Sequence, residues 1–221
     1  MDLKAAIAAR RSVRAFLPDP VPLDRLVGIA RDAARAASGG NLQPWHVDIV
    51  HCAPMARLKA LMAERLAAGA LERMEYAVYP PALAAPYRDR RFAVGEAMYA
   101  ELGIARADKS ARREWFARNY AFFGAPAACF VTVDRGMGPP QWADLGMYLQ
   151  ALMLLAVEAG LATCAQEAWA VYPNTIDAFI GTPATRMLFC GVAIGREDQD
   201  APVNRLRSER APPDEWLRVV D

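Results

Sequence analysis

Histidine and cysteine are scarce in this sequence, and their spacing fits no common metal site. The chain of 221 residues has two histidines, His46 and His51, and four cysteines, none of which forms a Cys-x-x-Cys pair. A zinc site is therefore disfavoured, and so is catalysis that depends on histidine acid–base chemistry at neutral pH. Isolated cysteines of this kind are typically small buried apolar residues. We predict that role for Cys52, Cys129, Cys164 and Cys190.

An excess of charge of one sign is also missing, since 26 Lys and Arg balance 25 Asp and Glu to a net charge of +1. A nucleic-acid-binding surface needs a clear basic surplus, so we expect no nucleic-acid partner. The most apolar stretch, 145–157, is interrupted by Gln150 and is too short to span a bilayer. The first residues lack the charge layout of a secretory signal. With 54% hydrophobic residues, we expect a cytoplasmic protein with a well-formed core and no membrane partner.

The hydrophobic pattern indicates one mixed domain of helices and strands over residues 1–221. The most apolar segment predicts a central helix over 144–160, and an earlier helix begins at Pro22 and ends at Gly39-Gly40. The polar tail, from about 196 to 221, has little core of its own. We expect either a frayed terminus or, as the sharper prediction, an arm that wraps a partner subunit. Strands are predicted over 46–52, 129–133 and 186–193, and a further helix is predicted around 92–102.

Two basic clusters stand at opposite ends of the chain. The first is Arg10-Arg11-Ser12-Val13-Arg14, whose guanidinium groups and hydroxyl suit a phosphate and a polarised carbonyl. The alternative is an ordinary solvated basic helix end. The second cluster runs from Asn204 to Arg210 in the tail.

Two further segments carry polar residues in unusual settings. In the first, 38–45, the glycines allow a close approach to a flat ligand, and Ser38, Asn41 and Gln43 supply donors and acceptors. The alternative is a helix end followed by a turn. In the second, 160–169, Glu167 follows the most apolar helix, where a charged side chain needs a reason.

In this order and spacing, the four segments resemble the FMN-dependent nitroreductase family. The resemblance covers the chain from Arg10 through Arg210. It rests on Arg-Arg-Ser-x-Arg, Ser-x-x-Asn-x-Gln-Pro-Trp, the Gln-Glu pair, Gly-x-Ala-Ile-Gly over 191–195, and the closing Asn-x-x-Arg-x-x-Arg. It implies an α+β, nitroreductase-like fold, with a small central mixed or antiparallel sheet flanked by helices. It also implies an intertwined homodimer with a C-terminal arm and two shared FMN sites.

The resemblance assigns roles to individual residues. It places Arg10 and Ser12 on the phosphate and ribityl side of FMN, and Arg14 near the flavin pyrimidine, where a cation raises the reduction potential. The loop with Ser38, Asn41 and Gln43 is supplied across the dimer interface. The segment Glu167-Ala168 lies near flavin N5. The full set of implied cofactor-binding residues is Arg10, Arg11, Ser12, Arg14, Ser38, Gly39, Asn41, Gln43, Gln166, Glu167, Arg207 and Arg210.

The resemblance implies an FMN-dependent oxidoreductase that uses NADPH or NADH. Hydride passes to the flavin and then to a nitroaromatic, quinone or similar electron-poor aromatic substrate in a ping-pong sequence, and no side chain is required as a nucleophile. The missing Gly-x-Gly-x-x-Gly agrees with this, because the nicotinamide binds over the flavin rather than in a Rossmann crevice. Other flavin reactions (reductive dehalogenation, enal or quinone reduction), a flavin-binding sensor and a purely structural helical protein remain alternatives.

Two features depart from the family pattern. Ser208 stands where a lysine is frequent, so one phosphate cation is missing unless Arg207 replaces it. The region 76–113 has no recognisable motif, and its proline- and arginine-rich part, 79–91, predicts a long loop. We expect 87–91 and 115–123 to line or cover the substrate face.

Overall fold

A four-stranded antiparallel sheet lies at the centre of the computed structural model, which describes residues 1–220. The strands are β1 His46–His51, β2 Ala127–Asp134, β3 Ala162–Gln166 and β4 Arg186–Gly195. Their order across the sheet is β1-β2-β4-β3. All residues of β2 except Asp134 are buried, as expected for a strand covered on both faces. The predicted α+β class, with an antiparallel sheet, is confirmed.

Helices cover the sheet on both faces. On one face, α2 and α6 pack against Cys129 and Val131 of β2. On the other, α3 and an aromatic group around Trp169 pack against Phe130. The described part of the chain has seven α-helices: α1 Leu3–Ala9, α2 Leu23–Ala33, α3 Cys52–Ala67, α4 Tyr87–Glu101, α5 Lys109–Ala117, α6 Pro139–Glu158 and α7 Pro173–Ile180.

Three helix boundaries differ from the prediction. Helix α6 begins at Pro139, five residues earlier than expected, because prolines in the first helical turn lose no intrahelical hydrogen bond. Helix α2 ends at Ala33, well before Gly39. The alanines that follow have a high helix propensity, but propensity alone is a weak effect and does not extend the helix to the glycines. Helix α4, expected around 92–102, begins at Tyr87 and so occupies the end of the predicted loop 79–91. It buries none of its residues, so no apolar stripe marks its first turn in the sequence.

Cysteine burial was predicted correctly at three of four positions. Cys129, Cys164 and Cys190 are buried, whereas Cys52 is exposed. The prediction was wrong for Cys52 because this residue begins α3 at the end of β1, with a positive φ of 53°, and not within a core segment.

Strand β3 was not predicted, and it brings the first basic cluster into the fold. Its partner within the sheet is β4, with Gln166 opposite Gly191. On its free side, Ser12 forms a parallel bridge with Thr163, and the N–H of Val13 donates to the Thr163 carbonyl at 3.0 Å. The arginines around Ser12 therefore lie beside the segment that continues to Glu167.

The tail returns to the start of the chain and then runs along α4. The N–H of Leu17 donates to the Arg196 carbonyl at 2.9 Å, and Glu215 pairs with Arg90 of α4. The predicted wrapping of a partner by residues 196–221 stays a prediction, and its last residue lies outside the described part. No helix within residues 1–220 is long and apolar enough to cross a bilayer.

Candidate functional site

Two adjoining cavities lie beside β3, and they share Arg14, Val94 and Leu206 in their walls. The first has a volume of about 760 Å³ and is called the basic cavity. The second has a volume of about 730 Å³ and is called the aromatic cavity. The basic cavity is lined by residues that include Arg10, Arg11, Ser12, Arg14, Gln150, Arg207, Ser208 and Arg210. The aromatic cavity is lined by residues that include Arg14, Phe92, Tyr99, Trp115, Phe116, Phe123, Gln166, Glu167 and Ala168.

Asn204 joins the two basic clusters, which are about 190 residues apart in sequence. Its side chain is only 5% exposed. Its Oδ1 accepts a hydrogen bond from the Arg14 N–H at 2.8 Å, and its Nδ2 donates to the carbonyls of Ala15 and Asp198, both at 2.8 Å. Because an unpaired amide would be costly at this burial, these bonds fix the tail beside the first cluster.

The arginines of the basic cavity differ in how their charge is compensated. Arg11 pairs with Glu197 at 2.5 Å, so its charge is neutralised within the chain. Arg207 and Arg210 donate to main-chain carbonyls of the tail, which orients them without neutralising them. Among the 220 residues described, none of the cations of Arg10, Arg14, Arg207 and Arg210 pairs with a carboxylate. The cavity therefore keeps the positive charge that a phosphate requires.

The floor of the aromatic cavity is the end of β3 and the residues that follow it. Gln166 is 3% exposed, and its Nε2 donates to Asn119 at the main-chain oxygen (2.9 Å) and at Oδ1 (3.1 Å). The Tyr120 hydroxyl donates to the Ala168 carbonyl at 3.2 Å. These bonds hold the main chain around Glu167 in one position against the buried ring of Trp169.

Glu167 lies on this floor and is exposed rather than buried behind the apolar helix, and it has no cation in salt-bridge contact in the described chain. Neighbouring protein atoms exclude part of the water around it, and this desolvation raises the pKa of its carboxyl above the ordinary value. Arg14 lines the same cavity and is the positive charge shared with the basic cavity.

The loop 38–43 lies outside both cavities. Both carboxylate oxygens of Asp144, which is 4% exposed, accept from the Gly39 N–H at 3.2 Å. The Gln43 N–H donates to Ser38 Oγ at 3.1 Å, and Gln43 Nε2 donates to Asn41 Oδ1 at 3.1 Å. Asn41 and Gln43 have positive φ values of 59° and 49°, so the loop has a defined left-handed geometry. The roles of Ser38, Gly39, Asn41 and Gln43 stay predictions that require a second subunit.

The sequence predicted residues in the walls of the aromatic cavity, but not the hydrogen bonds that hold these walls in place. Trp115, Phe116 and Phe123 line it, in agreement with the expectation for 115–123, and so do Arg88 and Arg91 from 87–91. Asn119 was not singled out as the partner of Gln166, and no signal in the sequence marks it. Asn204 was part of the tail motif, but its amide bonds to the first cluster follow only from the fold.

The chemistry of the two cavities fits FMN. The basic cavity offers cations and the Ser12 hydroxyl to a phosphate at one end. The aromatic cavity offers flat apolar walls and the main chain of 165–168 to a ring system. Arg14, at the junction, has no carboxylate partner within residues 1–220, so it is free to interact with an electron-rich ring edge. FMN, in which a short polar chain joins a phosphate to a flat ring system, matches the order of these surfaces from the basic cavity to the aromatic cavity.

Comparisons with known proteins agree with this geometry. The family model described as "Nitroreductase family" matches residues 7–196. A 4-nitrobenzoate reductase of Pseudomonas putida is 35% identical over 209 residues, covering 95% of this chain and 91% of that protein. A crystal structure of the FMN and NADPH-dependent nitroreductase NfnB from sphigopyxis sp. strain HMH superposes with a TM-score of 0.96 at 47% identity, covering 100% of both chains. The FMN-dependent nitroreductase NfnB from Mycobacterium smegmatis, in complex with NADPH, gives a TM-score of 0.93 at 31% identity, again over 100% of both chains. The chain therefore belongs to the nitroreductase family.

Proposed function

We propose that this protein is an FMN-dependent oxidoreductase that takes electrons from NADPH or NADH and reduces nitroaromatic compounds. The observation that carries the proposal is the pair of adjoining cavities, with uncompensated arginines in one, aromatic walls in the other, and Arg14 between them. The relatives described as 4-nitrobenzoate reductase and as FMN- and NADPH-dependent nitroreductase support the same activity.

In this proposal the cofactor is held by residues from both ends of the chain. Arg10, Ser12, Arg207 and Arg210 bind the phosphate, and Arg207 supplies the cation that the family pattern has at Ser208. When bound, FMN supplies the hydride chemistry. The main chain at Glu167-Ala168, fixed by the hydrogen bonds of Gln166 and Tyr120, is rigid enough to donate an N–H to one ring edge.

The chain's own residues bind and orient the cofactor and the substrates, and they exclude water from the site. The Arg14 guanidinium stabilises negative charge that develops at the pyrimidine end, where its position is fixed through the Asn204 bond to its main chain. The rings of Trp115, Phe116 and Phe123 provide an apolar wall against which a flat donor or acceptor stacks.

We further propose that the active form is a cytoplasmic homodimer with two shared FMN sites. The loop 38–43 is ordered but contacts neither cavity of its own chain, as expected if it completes the site of a partner. Helix α1 exposes Leu3 (67%) and Ile7 (53%), and the tail exposes Trp216 (68%) and Val219 (74%). Contact with a second subunit would remove these apolar side chains from water, which favours a dimer.

The test of the proposed function is acceptor-dependent oxidation of NADPH and NADH without oxygen, with 4-nitrobenzoate and nitrobenzene as acceptors. We expect nitro-group reduction, measured by chromatography of the products, to account for the donor consumed. Parallel reactions with a halogenated phenol and an enal examine the other flavin reactions. Faster turnover with either of these than with both nitro compounds would contradict the proposal.

A further inference from the structure

The outer layer of the aromatic cavity is basic, although the whole chain is nearly neutral. Residues 87–118, which include α4 and α5, have eight Lys and Arg against five Asp and Glu, so the rest of the chain has an acidic excess. Five arginines in this layer lie over aromatic rings. Positive charge around an active-site opening attracts anionic ligands.

Among the arginines of 87–118, Arg91 combines a place in the wall of the aromatic cavity with the lack of a carboxylate partner in the described chain, whereas Arg88, which also lines this cavity, pairs with Asp89 at 2.9 Å. Arg90 pairs with Glu215, and Arg112 pairs with Glu96 at 2.5 Å. Arg91 lines the aromatic cavity and, in the described chain, has no carboxylate within salt-bridge distance. Its guanidinium carbon lies 4.0 Å from the centroid of the Tyr79 ring. A stacked guanidinium keeps its N–H edge free to donate two parallel hydrogen bonds.

Tyr79 belongs to the segment 68–86, called the strap, which connects α3 to α4 and is anchored to the sheet and to α7 at three residues that precede Tyr79. The Glu72 carboxylate of the strap accepts hydrogen bonds at the start of α7, from the N–H of Asn174 at 2.7 Å and of Thr175 at 3.2 Å. The strap is also held by Glu75, which pairs with Arg135 at 2.6 Å, and by the Tyr76 hydroxyl, which donates to the Phe189 carbonyl. Tyr79 follows three residues after this last anchor, so the anchored strap limits where its ring can lie under Arg91.

We propose that Arg91, stacked on Tyr79, binds a carboxylate or similar oxyanion on the ring of the acceptor. The preferred substrates are then nitroaromatic acids rather than neutral nitroarenes. This inference rests on the proposed function, because it concerns the acceptor of the same cavity. The donor NADPH also has oxyanions, on its phosphates, and the experiment separates the two sources.

The experiment compares 4-nitrobenzoate with its neutral analogue 4-nitrobenzamide in the FMN-loaded wild type and in Arg91→Ala. In a ping-pong reaction, kcat/KM for the acceptor reports only the half-reaction with the acceptor. We expect Arg91→Ala to lower kcat/KM for 4-nitrobenzoate about tenfold more than for 4-nitrobenzamide, mainly through KM. Arg91→Lys keeps the charge without the planar fork and should restore part of the loss.

Arg106→Ala is the matched control, because Arg106 also stacks on an aromatic ring (Phe92, 5.0 Å) but does not line the aromatic cavity. We expect Arg106→Ala to leave unchanged the ratio of kcat/KM for 4-nitrobenzoate to kcat/KM for 4-nitrobenzamide. An equal loss for both acceptors in Arg91→Ala, or the same change in Arg106→Ala, would overturn the assignment. A fall confined to kcat/KM for NADPH would assign Arg91 to the donor phosphates instead.

The outcomes for this inference and for the proposed function are distinguishable. A wild type that reduces neither nitro compound would contradict the proposed function itself, whereas reduction with no dependence on Arg91 contradicts only this inference.

Discussion

At the scale of single residues, Arg14 connects the two halves of the site. Its main-chain N–H donates a hydrogen bond to Asn204 of the tail, and its side chain lines both cavities. Its charge has no carboxylate partner in the described chain. The neighbouring Arg11 has the same side chain, but its ion pair with Glu197 removes its charge from the site. The electrostatic role of an arginine here depends on its partners more than on its place in the motif.

Replacing Arg14 by alanine tests this role. We expect Arg14→Ala to weaken FMN binding about tenfold and to lower the reduction potential of the bound flavin, because one stabilising cation is lost. The measurements are fluorescence titration with FMN and a redox titration of the loaded protein. Arg31→Ala, which removes an exposed arginine paired with Asp32, is the control and should change neither quantity. Unchanged FMN retention and potential in Arg14→Ala would refute the assignment.

Glu167 gives a prediction for the pH dependence of stability. Because its folded-state pKa is raised, the unfolded chain releases this proton at a lower pH than the folded chain does. The free energy of unfolding therefore falls as the pH rises from the ordinary carboxyl pKa through the raised one. We expect Glu167→Gln to be more stable than the wild type at pH 8, with the difference shrinking toward pH 5, in urea denaturation of the FMN-loaded protein. Glu158→Gln, at an exposed carboxyl, controls for loss of a surface charge, and a difference that grows toward pH 5 would contradict the account.

At the scale of elements, the sheet supports the floor of the aromatic cavity through a close contact between β4 and Trp169. Gly191 lies on β4 opposite Gln166, and a Cβ placed on it would be 2.5 Å from Cδ1 of Trp169. Trp169 itself is fully buried against Phe122 and Phe130. The absence of a side chain at Gly191 thus allows the indole, and the main chain before it, to approach the sheet.

A pair of Gly→Ala substitutions measures the importance of this contact. We expect Gly191→Ala to destabilise the protein by about 1–3 kcal/mol, because the new methyl group overpacks the core. Gly28→Ala, in the open on α2 with no atom within 4 Å of the new Cβ, should stabilise it by about 0.5–1 kcal/mol through helix propensity. Urea denaturation of the two variants provides both values. Equal shifts of the same sign would show that Trp169 does not depend on the glycine.

The elements that sequence reasoning could predict are those with a strong apolar pattern. Strands β2 and β4 and helix α6 bury most of one face or all of both, so their periodicity was readable. Strand β1 buries only Val50 and was readable from its alternation of polar and apolar residues. Helix α4 was predicted from residue 92 onward but not its first turn, because it buries none of its residues, and the short strand β3 was missed. The polar clusters of the site were readable because their residue types suit a phosphate and a flat ring. The bonds of Asn119 and Asn204 were not readable, since they join residues about 50 to 190 positions apart.

At the scale of the whole molecule, the near-zero net charge conceals an uneven distribution. The basic cavity and the layer 87–118 are positive, whereas the rest of the chain compensates. Both reactants of the proposed reaction, NADPH and a nitroaromatic acid, are anions. The charge distribution therefore favours their approach to one side of the subunit.

The shared site of the proposed dimer leads to a complementation prediction. A variant with Arg10 and Arg14 changed to alanine has a defective cavity, and a variant with Asn41 and Gln43 changed to alanine has a defective loop. We expect each to lose flavin-dependent activity, and mixed dimers to regain part of it, because one site then combines an intact cavity with an intact loop. Light scattering of the wild type should give twice the 24.2 kDa subunit mass. A monomeric mass with full activity would contradict the shared site.

The central claim is that the site formed around the two adjoining cavities holds FMN and exchanges electrons with a nicotinamide and a nitroaromatic in turn. The most direct measurement is spectroscopic, without oxygen, on FMN-loaded protein mixed first with NADPH and then with 4-nitrobenzoate. The account predicts that NADPH removes the visible flavin absorption and that the nitro compound restores it, with a matching loss of 4-nitrobenzoate. A protein that takes up no FMN, or whose bound FMN is reduced by neither NADPH nor NADH, would contradict it.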